Sequence, residues 1–164
     1  MDNGNLPKHG NYGCGIDIGG SGVKGAIVDM DTGEFVTDRI KIETPQPATP
    51  EAVAETVAHI VQELGWDGRV GICMPTVIKD QVAHLAANID DSWVGTNVHE
   101  LFSRHLPGRK IAVVNDADAA GLAEVAFGDE TARTGATLFL TFGTGIGSAF
   151  ITDGVLFPNT ELGH

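Results

Sequence analysis

Residues 15–29 read Gly-Ile-Asp-Ile-Gly-Gly-Ser-Gly-Val-Lys-Gly-Ala-Ile-Val-Asp. An apolar run carries Asp17 near its end, Gly19, Gly20, Ser21 and Gly22 form a turn, and Lys24 stands in the apolar run that follows. This is the composition of a tight β-hairpin whose turn faces a phosphate. Glycine allows φ > 0 and a close approach of backbone to ligand. Successive amides in such a turn make an anion-binding nest, to which Ser21 adds a hydroxyl and Lys24 a point charge. An acid beside a phosphate is repulsive unless a cation lies between them, so Asp17 points to Mg²⁺. An ordinary Gly-rich hairpin is the competing reading. The segment is neither a Walker loop nor a dinucleotide fingerprint, because a strand and not a helix follows the turn.

Two further groups complete the chemistry. Gly143-Thr144-Gly145-Ile146-Gly147-Ser148 is a second Gly-rich turn between apolar runs, with Thr144 and Ser148 as hydroxyl donors. Two such turns can hold a phosphate chain from both sides. Asn115 and Asp116 end the buried run Lys110–Val114, and in open α/β sheets ligands bind beyond the carboxyl ends of strands. A carboxylate there suits a general base that takes the proton of an attacking hydroxyl. Phosphoryl transfer otherwise asks mainly for positioning and charge neutralisation. The competing reading of Asp116 is the N-cap of a helix beginning at Ala117, and the two are compatible.

The elements that must position these groups follow from the pattern. Tyr12–Ile18, Val23–Met30 and Glu34–Glu43 read as three strands of an antiparallel meander. Thr49 and Pro50 open a helix whose Val53, Val57, Ile60, Val61 and Leu64 share a face, and Gly65 stops it. Arg69–Met74 and Lys110–Val114 read as buried parallel strands. Val77–Ala86 reads as another hairpin or an irregular pair, and Thr96 or Asn97 caps a helix running through Leu106. Ala117–Phe127 is an Ala-rich helix; Ala136–Phe142, Ala149–Thr152 and Val155–Phe157 are strands, the last two joined at Asp153-Gly154.

Composition bounds the function. The 164 residues carry 10 Lys+Arg against 22 Asp+Glu, a net charge of −12, and this argues against a nucleic-acid or anionic-membrane binder. No apolar run is long enough to span a membrane, and Met1–Asn11 has no apolar signal core. Cys14 and Cys73 sit in strand-like runs and read as free thiols in a reducing compartment, hence a cytoplasmic location. The chain stops at Glu161-Leu162-Gly163-His164 without a closing element, which reads as a truncation.

Asp17-Ile-Gly-Gly-Ser-Gly-Val-Lys24, Asn115-Asp-Ala-Asp-Ala-Ala120, Leu140-Thr-Phe-Gly-Thr-Gly-Ile-Gly147 and Glu161-Leu-Gly-His164 together resemble the ROK family of sugar kinases and repressors, over about residues 12–164. The run 143–164 and Ala87-Asn-Ile-Asp-Asp-Ser-Trp93 are similar to the members that use polyphosphate to phosphorylate glucose. The resemblance implies an α/β fold of the actin/hexokinase-like (ribonuclease H-like) kind. Its mixed sheet combines a three-stranded antiparallel meander with parallel strands and flanking helices. Residues 1–11 would be a flexible tail, 12–134 the N-terminal domain, and 135–164 the truncated beginning of a second such domain.

The same resemblance implies transfer of the terminal phosphoryl group of inorganic polyphosphate or ATP to the 6-hydroxyl of glucose, with Mg²⁺, in a homodimer. It makes Asp116 the catalytic base. Asn115, Asp116, Glu161, His164 and Asn88 would hold glucose. Asp17, Gly19, Gly20, Ser21, Gly22, Lys24, Gly143, Thr144, Gly145 and Gly147 would surround the donor phosphates, with Asp17 an indirect ligand of Mg²⁺. One departure is Met74-Pro75-Thr76, bordering the sugar, where many members have Gly-Pro-Gly. The Cys-rich zinc motif of many members would fall beyond residue 164. An ATP-only hexose kinase is the alternative within the enzyme class; a non-catalytic fragment is another. A sugar-sensing repressor is disfavoured by the acidic charge and by the short segment before the first strand. The turns do not choose between donors. A polyphosphate groove asks for a basic track, and Lys24, Lys79, Arg104, Arg109, Lys110 and Arg133 are scattered in sequence.

Overall fold

A hairpin and two crossovers build the main sheet. The structure, a computed structural model, describes residues 10–85, 89–142, 145–160 and 162. Strands β1 (Tyr12–Ile18) and β2 (Val23–Asp29) pair antiparallel, and β3 (Ile40–Ile42) extends them. Helix α1 (Pro50–Glu63) leads to β4 (Val70–Met74), parallel to β1. A short hairpin, β5 (Ile78–Lys79) and β6 (Val82–Ala83), precedes α2 (Val98–His105), which leads to β7 (Ile111–Asn115), parallel to β4. The strand order is β3-β2-β1-β4-β7, the mixed sheet expected from the sequence.

Alternation decides the faces. Cys14, Ile16, Ile18, Val23 and Ile27 lie on one face of the hairpin and are buried, as are Val70, Ile72 and Met74 of β4. Against this face packs α1, through Val53, Val57, Ile60 and Val61, none of them exposed. Its start is fixed as expected: the Thr49 hydroxyl accepts from the Ala52 N–H, and Pro50 occupies the first turn. Gly25 makes room for the helix; a Cβ there would come within 2.4 Å of Ile60 Cγ2. Trp93 completes the core, its Nε1 donating to the Ala48 carbonyl at 2.8 Å.

The third strand is shorter than the Glu34–Glu43 expected. Phe35 makes only an isolated bridge to Val28. The Thr37 hydroxyl then accepts the Ile27 N–H at 3.1 Å, a bond that a continuous strand would have made with its own backbone. Regular pairing resumes at Ile40 opposite Gly25.

After β7 comes α3 (Asp116–Phe127), then β8 (Ala136–Phe142), β9 (Ile146–Thr152) and β10 (Val155–Phe157) in a second sheet. Strand β9 starts three residues earlier than the sequence suggested, because Ile146 already pairs with Phe142. One face of this sheet meets α3 at Gly121, where a Cβ would stand 2.7 Å from Ala149 Cβ. The other face presents Leu138, Phe142, Ile146, Val155 and Phe157 to solvent. Among the described residues no helix is long and apolar enough to cross a membrane.

Candidate phosphoryl-transfer site

Parallel pairing of β1, β4 and β7 brings their carboxyl ends to one edge, and the register lays a row across it. Lys41 pairs with Lys24, Lys24 with Asp17, Asp17 with Cys73, and Cys73 with Val114. In-register neighbours point to the same face about 4.8 Å apart. Asn115 and Asp116 follow directly at the β7 end of the row.

Asp17 is half-exposed and held from both sides. Its Oδ2 accepts from Lys24 Nζ at 2.9 Å, and its Oδ1 faces the Cys73 thiol at 3.7 Å. Burial, followed by the charges of Asp17 and Asp116, pushes the Cys73 thiol up to about 12. Cys73 therefore remains a protonated thiol between the two carboxylates.

At the helix start the cap is Asn115, not Asp116. Buried Asn115 accepts through Oδ1 from the Ala117 N–H at 2.9 Å and the Asp118 N–H at 3.1 Å. Its Nδ2 donates to the Thr76 carbonyl at 3.2 Å. Asp116 stays exposed and, among the described residues, accepts the neighbouring Ala117 N–H at 2.8 Å. The capping task falls to the buried amide of Asn115, which leaves the Asp116 carboxylate on the solvent side. Thr76 is buried, and its hydroxyl donates to the Leu85 carbonyl.

The first turn differs from the nest expected. None of Gly19, Gly20 and Gly22 takes a left-handed φ. The Gly19 N–H instead donates to the Gly22 carbonyl at 3.1 Å, and buried Thr44 donates its hydroxyl to the Gly19 carbonyl at 2.5 Å. Glycine is required for contact and not for torsion: a Cβ on Gly22 would stand 2.7 Å from Lys41 Cε. Gly20 and Ser21 are exposed at the tip. Lys41, which sequence reasoning missed, thus lays its stem across the turn. Its strand looked unremarkable, and only the pairing register reveals it as a neighbour of Lys24.

In the second turn Gly145 is open to solvent, while Gly147 packs on the start of α3, where a Cβ would be 2.9 Å from Ala117 Cβ. This contact sets the second hairpin beside Asp116. Ser148, expected as a phosphate donor, is buried and committed elsewhere: its Oγ accepts the Leu162 N–H at 2.8 Å, and its carbonyl accepts from Thr160 at 3.1 Å. Asn88, Gly143, Thr144, Glu161 and His164 lie outside the described residues.

Among the described residues no group of three or more His, Cys, Asp or Glu side chains is placed to hold a metal. Mg²⁺ in phosphoryl-transfer sites needs only one or two carboxylates, with phosphates and waters completing the shell. The half-exposed Asp17 carboxylate beside the glycine turn fits that donor set.

A five-stranded 3-2-1-4-7 sheet, with a carboxylate beyond β7 and a glycine turn after β1, defines an actin/hexokinase-like domain. More narrowly, the chain belongs to the ROK family, whose model matches residues 13–164. It is 54% identical over 153 residues to the polyphosphate glucokinase of Mycobacterium tuberculosis strain H37Rv, covering 93% of this chain and 58% of that protein. The crystal structure of inorganic polyphosphate/ATP-glucomannokinase from Arthrobacter sp. strain KM superposes with a TM-score of 0.87 at 50% identity, over 93% of this chain and 63% of that one. A ROK family glucokinase from Streptomyces griseus, solved with glucose and AMPPNP, matches with a TM-score of 0.76 at 28% identity, over 89% and 46% of the respective chains. This chain therefore spans under two thirds of the length of these relatives.

Proposed function

We propose that the protein transfers the terminal phosphoryl group of inorganic polyphosphate, or of ATP, to the 6-hydroxyl of glucose. The observation that carries this reading is Asp116, an exposed carboxylate beyond β7 with Gly147 of the second turn against the same helix start. In the reaction the sugar oxygen bonds to phosphorus as the bridging P–O bond breaks. The hydroxyl proton passes to Asp116, and the shortened donor leaves with the bond's electrons. Lys24, Lys41 and the exposed amides at Gly20 and Ser21 face the donor's negative charge. Bound Mg²⁺, held through Asp17, would neutralise further phosphate charge. Asn115 supports the sugar site by shaping the strand end, its Oδ1 being engaged as the helix cap.

Further parts of the proposal come from the family resemblance: Asn88, Glu161 and His164 on glucose, Gly143, Thr144 and Gly145 on the donor, a homodimer, and a cytoplasmic location. Division of the chain into an N-terminal domain to residue 134 and a second unit from 135 is supported by the exposed apolar face of the second sheet. The polyphosphate donor is supported by identity to polyphosphate glucokinase and by the Lys24–Lys41 pair. The Streptomyces griseus structure with AMPPNP favours ATP as the second reading. A coupled glucose 6-phosphate assay on the full-length protein, with glucose and Mg²⁺, separates them: turnover with long-chain polyphosphate at or above that with ATP supports the first. Turnover with ATP alone moves the protein to the second, and none with either donor refutes both.

A further inference from the structure

We infer that Asp118 is a positioning residue of the sugar site, fixing through Asn159 the segment that runs into Glu161 and His164. The inference rests on the proposed function for what the segment does, and on geometry for what holds it. Asp118 lies on the first turn of α3, two residues after Asp116, and is 2% exposed. Its Oδ2 accepts the Asn159 N–H at 2.9 Å, while its Oδ1 is buried with no hydrogen-bond partner among the described residues. Burial raises its pKa, the Asn159 N–H opposes that shift, and Asp116 adds to it.

Asn159 is itself constrained. Its φ is +58°, a left-handed value that asparagine tolerates better than most residues. Its side-chain amide grips β5 at both backbone groups of Ile78: Oδ1 accepts the N–H at 3.0 Å and Nδ2 donates to the carbonyl at 2.8 Å. The next residues are tied to β9, Thr160 donating to the Ser148 carbonyl and the Leu162 N–H donating to Ser148 Oγ. Asn159, Thr160 and Leu162 are thus fastened to the helix that carries Asp116, to the β5–β6 hairpin and to the strand that leaves the second glycine turn. A buried carboxylate with one oxygen unpaired weakens the fold. What it supplies is a fixed backbone amide at residue 159, two residues before the Glu161-Leu-Gly-His164 sequence. An apolar side chain would fill the same space without holding that amide.

The test compares Asp118→Asn, Asp118→Ala and Asn159→Ala in the full-length protein. Steady-state kinetics would give separate KM values for glucose and donor, and melting curves would confirm folding. Asp118→Ala is expected to raise the glucose KM roughly tenfold, as loss of a charge-assisted hydrogen bond would, and leave the donor KM within about twofold. Asp118→Asn, whose amide oxygen can still accept from Asn159, should recover most of the loss. Asn159→Ala should resemble Asp118→Ala, and the double substitution should add little to either. Equal rises in both KM values, or an unchanged glucose KM in folded Asp118→Ala, would overturn the inference. Should Asp118→Ala not fold, Asn159→Ala against Asp118→Asn makes the same comparison. Amide hydrogen exchange at residues 159, 160 and 162 reads the positioning without reference to activity. Protection kept in Asp118→Asn and lost in Asn159→Ala or Asp118→Ala supports it even if glucose proves not to be the acceptor; unchanged protection refutes it.

Discussion

Replacing Lys41 by Met removes a charge and keeps the stem that lies over Gly22. The stem fixes where the charge acts, because Lys41 Cε stands 2.7 Å from the position of a Gly22 Cβ. Taking a separation of about 5 Å between the ammonium and a phosphate on the turn amides, one unit charge at the dielectric of water contributes about 0.8 kcal/mol. Each phosphate charge in reach thus corresponds to roughly a fourfold change. A polyphosphate continues past the turn with further charges, whereas the charge of ATP ends after three phosphates. Two phosphate charges within the roughly 10 Å screening length at 0.1 M salt, which either donor supplies, give a loss of about tenfold. Lys41→Met should therefore lower kcat/KM for ATP about tenfold at low ionic strength, lower that for long-chain polyphosphate by more because its charges continue beyond the third phosphate, and leave the glucose KM unchanged. The polyphosphate loss should shrink as salt is raised. The assay is the coupled glucose 6-phosphate rate with each donor at several salt concentrations. Equal losses with both donors at every salt concentration, or no loss with polyphosphate, would refute the reasoning.

Three other outcomes follow from the structure. Thr44→Val removes the hydroxyl that holds the Gly19 carbonyl; it should cost about 1 kcal/mol in chemical denaturation and raise the donor KM while the glucose KM holds. Gly25→Ala puts a methyl group within 2.4 Å of Ile60 Cγ2 and should lower stability by about 1–3 kcal/mol without a specific kinetic effect. Burial raises both Cys14 and Cys73 from 9.0 to about 12, so Ellman's reagent at pH 8 should react slowly with the native protein and rapidly after unfolding. With folded pKa values above the unfolded one, the associated stability is present below pH 9 and lost as pH rises toward 12, which melting curves between pH 8 and 10 would show.

Much of the fold was legible because its signals are local. Hairpin alternation, the Thr49-Pro50 start of α1 and the apolar runs of β4 and β7 all carry their meaning within a few residues. The third strand was misread because the Thr37 hydroxyl replaces a ladder bond, and nothing local distinguishes that threonine from one in a strand. At the site, the pairing register brings Asp17, Lys24, Asn115 and Asp116 toward one sheet edge. The division of labour between Asn115 and Asp116 was not legible, since either side chain can cap a helix and only burial shows which does. Ser148 was assigned to phosphate from its neighbours in sequence, but its partners lie at residues 160 and 162. Lys41 and Asp118 stayed hidden for the same reason: their roles depend on pairing register and on contacts 41 residues away.

The most direct test of the account is Asp116→Asn in the full-length protein, with turnover and equilibrium glucose binding measured on the same preparation. If Asp116 accepts the hydroxyl proton as proposed, the substitution should lower kcat roughly 10²–10⁴-fold, with the glucose dissociation constant nearly unchanged. A folded variant that turns over at close to the wild-type rate would contradict the assignment of the base, and with it the reading of this sheet edge as the phosphoryl-transfer site.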